Sequence, residues 1–518
     1  MEQIKKTIRC GRIGKSVTDQ FYVDEDINLP EAKSDAERII CGSGRVHVEE
    51  IRMADHYAKV SGRISWQILY EAQEEERGMA AVTGRIPFEE LVYTDEMPES
   101  QLFVKSASAE VSVSLINSRK FNLKASVDME IGSQGEQEVS ITTDVEEEGL
   151  YKKFMQKDIL RLHAVKKDVL RIKEEVSLPS GKENIGELLF WELELRKMDT
   201  RLESDVLVLR GDLQVFCLYE TADMKTEWCE QSLPFEGRLE CPGAAEDMYH
   251  CVYGALVDDN IEARMDEDGE FRIFGLEASL EVRYFVYAEE SMEILEDLYA
   301  PGRRLIPSGE EVYLESLVMQ NRSVCRVAEQ LSLPELRDGA LQICHSGGFL
   351  QIESAEAEEG ILKVEGVLNV RFMYVKADDR QPFEIWQGMV PFAHEVECAG
   401  VKGPLCFDIS GSLEQLSVSL LGSGQAEVKA SLAFQVFARK PERMWGIGEV
   451  KEEPFDIKKL ENAPGIVGYI MKQGDTLWDL AKKYNTTEER IRSENDMAEG
   501  EPKEGDRILI FKENMGIL

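Results

Sequence analysis

The sequence has no long apolar run, which bears on where the protein resides. Behind the basic residues of the N-terminus, MEQIKKTIRCGRIGKSVTDQ, there is no apolar stretch of about 7–15 residues, so we do not expect a secretory signal. No later segment approaches roughly 18 uninterrupted apolar residues, so no integral membrane segment is expected. The sequence therefore predicts a cytoplasmic, soluble protein.

Paired cysteines and loop-forming residues are also scarce. The ten cysteines are scattered, and no Cys-x-x-Cys pair occurs, which argues against zinc ribbons and thioredoxin-like redox sites. Cys217, Cys344 and Cys406 lie within apolar patterns and are predicted to be free buried thiols of a reducing compartment. With 39 glycines, 16 prolines and 43% hydrophobic residues, the chain has the composition of folded domains.

Basic residues are heavily outnumbered. The chain has 60 Lys and Arg against 99 Asp and Glu, a formal net charge of −39. Proteins that bind nucleic acids must neutralise phosphates with Lys and Arg, and a strongly negative surface repels them. We therefore expect no nucleic-acid partner.

Signatures of catalysis and cofactor binding are missing as well. The N-terminal CGRIGKS resembles the end of a phosphate-binding loop, but Arg9 stands where that loop requires a glycine. The six histidines form no group, and His394 and Cys398 share a strand-like pattern that does not favour a common metal. Acidic runs such as Glu146–Glu148 are typical of solvated loops, and no nucleophile signature stands out. The sequence predicts a protein that is not an enzyme and holds no metal or cofactor.

What the sequence does contain is a threefold internal repeat with a period of about 150 residues. In each copy a Leu-Pro pair is followed by a Gly 32 positions after the Pro, and eight positions later by a Tyr. A Pro-Phe pair and an Ala-Ser pair come next. The landmarks are Leu29–Pro30, Gly62, Tyr70, Pro87–Phe88 and Ala125–Ser126; then Leu178–Pro179, Gly211, Tyr219, Pro234–Phe235 and Ala278–Ser279; then Leu333–Pro334, Gly366, Tyr374, Pro391–Phe392 and Ala430–Ser431. A period of this length predicts tandem globular domains rather than a solenoid.

Within each copy the apolar residues recur at every second position. Val60 to Tyr70, Phe121 to Ile131 and Leu362 to Tyr374 each place alternate side chains on one face, the pattern of half-buried antiparallel strands. The mid-strand Gly is predicted to mark a bulge or a close backbone approach, and the Pro-Phe pair a strand start or edge. We predict a mainly β protein with three tandem antiparallel β-sandwich or barrel-like repeat domains.

The landmarks also divide the chain. Two of the intervening segments begin with helix-like apolar spacing, Leu150 with Phe154 and Ile294 with Leu298, and become strand-like towards the next Leu-Pro. The predicted divisions are an N-terminal segment 1–22, repeat domains 23–132, 171–288 and 324–440, linkers 133–170, 289–323 and 441–463, and a C-terminal module 464–513.

The C-terminal module has the predicted order β-α-α-β. Val467–Met471 indicates a strand, and Thr476 with Asp479 indicates a capping box before a helix with a buried stripe from Leu477 to Tyr484. Asn485 tolerates the left-handed geometry that ends helices. Thr486 with Glu489 is predicted to cap a second helix, and a last strand follows at 507–511.

This module closely resembles the LysM domain family. The pattern consists of Tyr469, Met471, Gly474-Asp475-Thr476-Leu477, Leu480-Ala481, Ile491, Asn495, Gly505 and Leu509. In that family, glycans containing N-acetylglucosamine lie in a shallow groove between two loops. The resemblance implies a ligand-binding groove formed by Gly474, Asp475, Thr476, Leu477, Asp496, Met497, Ala498 and Glu499. Some of these residues have structural roles whatever the ligand, because Thr476 caps, Leu477 packs and Gly474 turns the chain.

The module departs from the family in ways that bear on its ligand. The second loop, NDMAEGEPKEGD, is acidic, Pro502 stands near a position that is commonly aliphatic, and Phe511 replaces the usual closing Pro. Residues 464–518 contain 11 acidic and 8 basic residues. This charge does not help binding to anionic cell-wall polymer, so glycan binding is neither excluded nor favoured.

Three β repeats followed by a LysM module resemble the SipL family of spore-coat proteins, whose repeats are SPOCS domains of unknown function. The resemblance covers roughly residues 23–513. It implies a non-catalytic scaffold in the mother-cell cytoplasm, at the forespore surface. There the LysM groove would bind the coat-basement ATPase during spore-coat assembly.

Two other functions stay open at this point. One is a peptidoglycan-binding protein in which the repeats act as a spacer, and the other, more remote, is an enzyme of unknown type. The ligand of the repeats, the oligomeric state and the arrangement of the domains are not determined by the sequence.

Overall fold

The computed structural model describes residues 1–13, 16–73, 78–94, 101–337, 339–358, 360–377, 382–398, 405–454, 464–497, 500 and 502–511. Three repeats of antiparallel strands precede a small module with two helices, and the predicted mainly β class is confirmed.

The strands of the three repeats follow one another in the same order. The first repeat comprises β1 (Glu2–Ile13), β2 (Val17–Asn28), β3 (Ala36–Ala54), β4 (Tyr57–Ala72), β5 (Met79–Tyr93), β6 (Gln101–Asn117) and β7 (Lys120–Glu146). The second comprises β8 (Tyr151–Ser177), β9 (Ile185–Glu203), β10 (Val206–Thr221), β11 (Thr226–Glu240), β12 (Tyr249–Met265) and β13 (Phe271–Tyr299). The third comprises β14 (Arg304–Ser332), a 3-10 turn at Pro334–Leu336, β15 (Ala340–Glu358), β16 (Ile361–Lys376), β17 (Phe383–Glu397), β18 (Cys406–Gly422) and β19 (Gln425–Glu453).

Each repeat is a sandwich of two antiparallel sheets. One sheet has the strand order β3-β4-β5, β9-β10-β11 or β15-β16-β17. In the other, a long central strand, β7, β13 or β19, pairs on one side with β6, β12 or β18. On its other side it pairs with β2, β8 or β14. The alternating faces predicted from the sequence, including Val60 to Tyr70 and Phe121 to Ile131, are buried between the sheets.

The repeated Gly and Pro-Phe landmarks form one recurring contact. Gly62 lies opposite Phe88, and Gly366 lies opposite Phe392, so the aromatic ring packs over the strand where a side chain is missing. An ideal Cβ atom on Gly62 would lie 2.2 Å from the carbonyl oxygen of His47, and the pairing register shifts beside it. The Pro-Phe strands β5, β11 and β17 lie at sheet edges, as predicted.

Replacing Gly62 or Gly366 by alanine is expected to lower the free energy of unfolding by about 1–3 kcal/mol, because overpacking displaces the neighbouring strand. On Gly366 the added Cβ would lie 2.1 Å from the carbonyl oxygen of Gln351. Urea denaturation checks this expectation. Gly78→Ala is the matched control, because nothing lies within 4 Å of its added Cβ. Equal losses in all three variants would contradict the packing explanation.

The segments expected to begin as helices are strands. The second half of β7 pairs with β1, and β8 and β14 pair with β13 and β19 along their full lengths. These extensions form three two-stranded arms: β1 with residues 134–146, residues 151–164 with 286–299, and residues 304–317 with 439–453.

A β-bulge explains the wrong helix prediction near Ile294 and Leu298. The side chains of Met292 and Ile294 are buried at alternate positions, as in a regular strand. The register then shifts between Leu295 and Asp297, and the extra residue changes the spacing to the next buried side chain. The resulting apolar spacing imitates a helical one. The proposed domain limits still rest on the sequence landmarks.

The three repeats converge on one another through mixed apolar clusters. One cluster joins the three sheets that contain β4, β10 and β16. It is formed by Cys41, Leu69, Met79 and Ala81 of the first repeat, Leu189, Phe190, Phe216 and Leu218 of the second, and Cys344, Met373 and Phe383 of the third. A second joins the arms and is formed by Ile8, Val139 and Ile141 with Ile159, Met292 and Ile294 and with Val312 and Leu314. A cavity of about 1400 Å³ lies between the repeats and is lined by all three of them.

Candidate functional site

The C-terminal module has the predicted β-α-α-β order. Its elements are β20 (Ile466–Ile470), α1 (Leu477–Tyr484), α2 (Glu488–Glu494) and β21 (Arg507–Phe511). The sheet of β20 and β21 is antiparallel, and Leu477, Leu480 and Ile491 are buried in the core of the module.

The first helix begins and ends as the sequence predicts. The Thr476 hydroxyl accepts a hydrogen bond from the amide of Asp479 at 3.2 Å, and the Asp479 carboxylate accepts one from the Thr476 amide at 3.3 Å. This reciprocal capping box satisfies amide groups that have no partner inside the helix. Asn485 closes the helix in the left-handed conformation, with a φ of 57°.

The second helix begins one residue later than predicted. Thr487, not Thr486, is the N-cap, and its hydroxyl accepts a hydrogen bond from the amide of Arg490 at 3.2 Å. Thr486 is buried, and its amide donates to the carbonyl oxygen of Ala481. Thr486 therefore belongs to the end of α1, and Thr487 caps α2.

The first loop of the predicted groove is held by its own side chains. The Asp475 carboxylate accepts hydrogen bonds from the Tyr469 hydroxyl at 2.8 Å and the Lys472 amide at 3.0 Å. The bond from the Lys472 amide and then that from Tyr469 lower the pKa of Asp475. Gly474 has a φ of +89°, which favours glycine, whereas Leu477 is fully buried and turns its side chain away from solvent.

The second loop starts at the end of α2 and is tied to the last strand. The Asn495 side chain donates to the carbonyl oxygens of Ile491 and Leu509 and accepts from the Leu509 amide at 2.7 Å. Asp496 follows in the left-handed region and is exposed, and Met497 is half-buried. The predicted groove residues Ala498 and Glu499 lie outside the described residues.

The two loops meet at one end of the β20–β21 sheet. The Met471 amide donates to the carbonyl oxygen of Asp506, and its own carbonyl oxygen accepts from the Gly505 amide. Each loop carries a carboxylate: that of Asp475 is bound within the first loop, and Asp496 is exposed at the start of the second.

The structure also shows buried ionic clusters that sequence reasoning missed. Arg439, which is 1% exposed, donates to Glu315 at 2.7 Å and to Asp408 at 3.0 Å. Asp408 also accepts from Lys105 of the first repeat at 3.1 Å and from the Tyr253 hydroxyl of the second at 3.1 Å. All three repeats therefore meet at one carboxylate.

A second cluster joins the second and third repeats around His345. Its two ring nitrogens each lie 2.9 Å from a carboxylate, those of Glu192 and Glu230, and its ring stacks on Phe216 with a centroid distance of 4.1 Å. Burial alone would lower the pKa of His345, but the hydrogen bonds with the two carboxylates raise it to about 9. Arg371 contacts the other oxygen of Glu192.

The cavity between the repeats is where a catalytic arrangement would be sought. Charged side chains of its wall pair across the repeats: Arg45 lies 3.0 Å from Asp259, and Lys105 lies 3.1 Å from Asp408. All ten cysteines are free thiols, and burial raises the pKa of Cys251 to about 12, which suppresses the nucleophilic thiolate. These ion pairs of the cavity wall join the repeats to one another.

Two further features concern the described residues alone. No helix among them is both long enough and apolar enough to cross a membrane. They also contain no group of three or more His, Cys, Asp or Glu side chains placed to hold a metal ion.

Comparison with known families matches both parts of the chain. The SPOCS domain model of the SipL family matches residues 35–116, 184–264 and 340–421, and the LysM domain model matches residues 469–511. The three SPOCS matches cover β3 to β6, β9 to β12 and β15 to β18, so all three arms lie outside them. No curated protein and no solved structure matches the chain. A LysM domain indicates glycan or peptidoglycan binding, SipL domains indicate a spore-related scaffold, and both are non-catalytic kinds of domain.

Proposed function

We propose that this chain, which has the SipL-like architecture of three SPOCS domains and a C-terminal LysM domain, is a non-catalytic scaffold in endospore coat assembly. Its LysM groove binds a protein, the coat-basement ATPase, at the surface of the forespore in the mother-cell cytoplasm. The three repeats form the rigid body that places this groove.

One observation supports this proposal most strongly, namely the joining of the three SPOCS domains into one body. Their matches recur on three sandwiches that share apolar clusters and a common carboxylate, Asp408. Because buried polar side chains join the three repeats, their relative positions are fixed, as a scaffold that holds partners in place requires. The acidic composition of the second loop, NDMAEGEPKEGD, favours a protein partner over an anionic polymer.

Peptidoglycan binding is the second candidate, and the LysM match itself favours it. The groove residues Gly474, Asp475, Thr476, Leu477, Asp496 and Met497 would then contact N-acetylglucosamine units, together with Ala498 and Glu499. Leu477 could contribute only its backbone, because its side chain is in the core.

The groove proposal predicts that Met497→Lys weakens binding of the full-length chain to the purified ATPase at least about tenfold, because it places a positive charge beside Asp496 in the acidic second loop, which is proposed to meet basic or neutral groups of the partner. Glu489→Ala, an exposed residue of α2 outside the groove, is the matched control and should change the affinity less than about twofold. Surface plasmon resonance measures both. Equal affinity of both variants and the unchanged chain would overturn the groove assignment.

A further inference from the structure

Among the described residues, the LysM module makes hydrogen bonds and ring contacts with the tip of the second arm, residues 297–303. The Asp297 carboxylate accepts a hydrogen bond from the Trp478 indole at 2.8 Å, and the Lys482 ammonium lies 2.6 Å from its other oxygen. The Gly302 amide donates to the side-chain oxygen of Asn485 at 2.7 Å. Trp478 and Lys482 of α1, together with its C-cap Asn485, therefore contact the tip of the second arm.

The contact also has an apolar part. The Tyr299 ring meets the Trp478 indole edge to face, with a centroid distance of 4.9 Å, and stacks on Tyr151 from its other side. Tyr299 is 5% exposed and Trp478 is 9% exposed, and Tyr299 belongs to the same cluster as the module core. A buried aromatic pair framed by hydrogen bonds is typical of the centre of a specific interface.

Comparison of the repeats shows that this tip differs from its counterpart. Counted from the Ala-Ser landmark, Asp144 of the first arm corresponds to Asp297, and both carboxylates accept from the next residue's amide. The same carboxylate oxygen of Asp144 also accepts from the ammonium of Lys152, at the start of the second arm, at 2.6 Å. The counterpart of Tyr299 is Glu146, which is exposed. Of the first and second repeats, only the second therefore has an aromatic residue at this position of the arm tip.

We propose that the second arm tip is an internal docking site for helix α1, and that the docked module offers its groove loops, not α1, to its partner. The groove loops lie at the end of the β20–β21 sheet, and Asp496 there is exposed. Trp478, in contrast, is covered by the body. The identity of the partner rests on the proposed function, but the docking itself does not.

Fluorine NMR of the full-length chain labelled with 5-fluorotryptophan tests the docking. The chain has six tryptophans, and Trp478→Phe assigns the resonance of Trp478. Tyr299→Glu, which introduces the residue of the first arm, and Asp297→Ala are expected to move this resonance to a common new position. Asp144→Ala is the matched control and should leave it in place. An unchanged Trp478 resonance in both tip variants would overturn the docking.

Binding of the purified coat-basement ATPase to the same variants tests which face the partner uses. The affinity of Tyr299→Glu is expected to stay within about twofold of the unchanged chain, because the groove loops are untouched. Binding that becomes about tenfold tighter would show that the partner needs the α1 face, and would overturn the proposal. Complete absence of binding in the unchanged chain would instead contradict the proposed partner and leave the fluorine result standing.

Discussion

Replacing Arg439 by methionine is expected to lower the free energy of unfolding by about 3–5 kcal/mol, the usual cost of removing one partner from a buried ion pair. Arg439 neutralises Glu315 and Asp408, and both carboxylates are almost fully buried. Without the guanidinium, Asp408 would keep its contact with Lys105, whereas Glu315 would lose its ion pair. Methionine keeps much of the side-chain volume, so the loss is electrostatic rather than a cavity effect.

Guanidinium chloride denaturation of the full-length chain measures this loss. Lys429→Met is the matched control, because Lys429 pairs with Glu427 at 2.7 Å on the surface, and such pairs contribute about 1 kcal/mol or less. Adding Glu315→Met to Arg439→Met removes one stranded carboxylate and should recover part of the stability. A change below about 1 kcal/mol in Arg439→Met would contradict the role of the cluster in joining the repeats.

Stability should also fall as the pH rises through the titration of His345. The folded-state pKa of His345 is raised from 6.5 to about 9 by Glu192 and Glu230. A group whose pKa is higher in the folded than in the unfolded state stabilises the fold while it is protonated. This stabilisation is fully present below the unfolded-state pKa and is lost as the pH rises through the folded-state pKa. The loss between pH 6.5 and pH 9 is therefore expected to be about 3 kcal/mol, from roughly 1.4 kcal/mol per unit.

His345→Gln is the variant that isolates this titration. Glutamine cannot charge, so the variant should be less stable at pH 6.5, and its stability should depend less on pH between 6.5 and 9. Urea denaturation at several pH values measures both properties, and His56→Gln, at an exposed histidine, serves as the control. Parallel pH profiles for the unchanged chain and His345→Gln would contradict the ion-pair geometry.

The sandwiches and the LysM module could be predicted from sequence because their signals are local. Alternation of apolar residues at every second position depends on neighbouring residues, and it placed Val60 to Tyr70 on the buried face correctly. The Gly landmark predicted a close backbone approach, and Gly62 makes one. Thr476 and Asp479 predicted a capping box for the same reason.

The arms and the ionic clusters could not be predicted because their causes are distant in sequence. Lys105 and Asp408 are 303 positions apart, and nothing near either residue marks its partner. Near Ile294 a single bulge produced helix-like spacing in a strand, which local patterns cannot distinguish from a true helix. The groove residues were inferred from family resemblance, and their role as a ligand site stays a prediction.

The claim that the LysM groove of this scaffold binds a protein rather than a wall glycan is tested most directly by competition. The full-length chain is incubated with insoluble peptidoglycan and, separately, with immobilised coat-basement ATPase, each with and without excess chito-oligosaccharide. We predict retention on the ATPase that chito-oligosaccharide does not displace, and little retention on peptidoglycan. Retention on peptidoglycan that chito-oligosaccharide abolishes, without retention on the ATPase, would contradict the account.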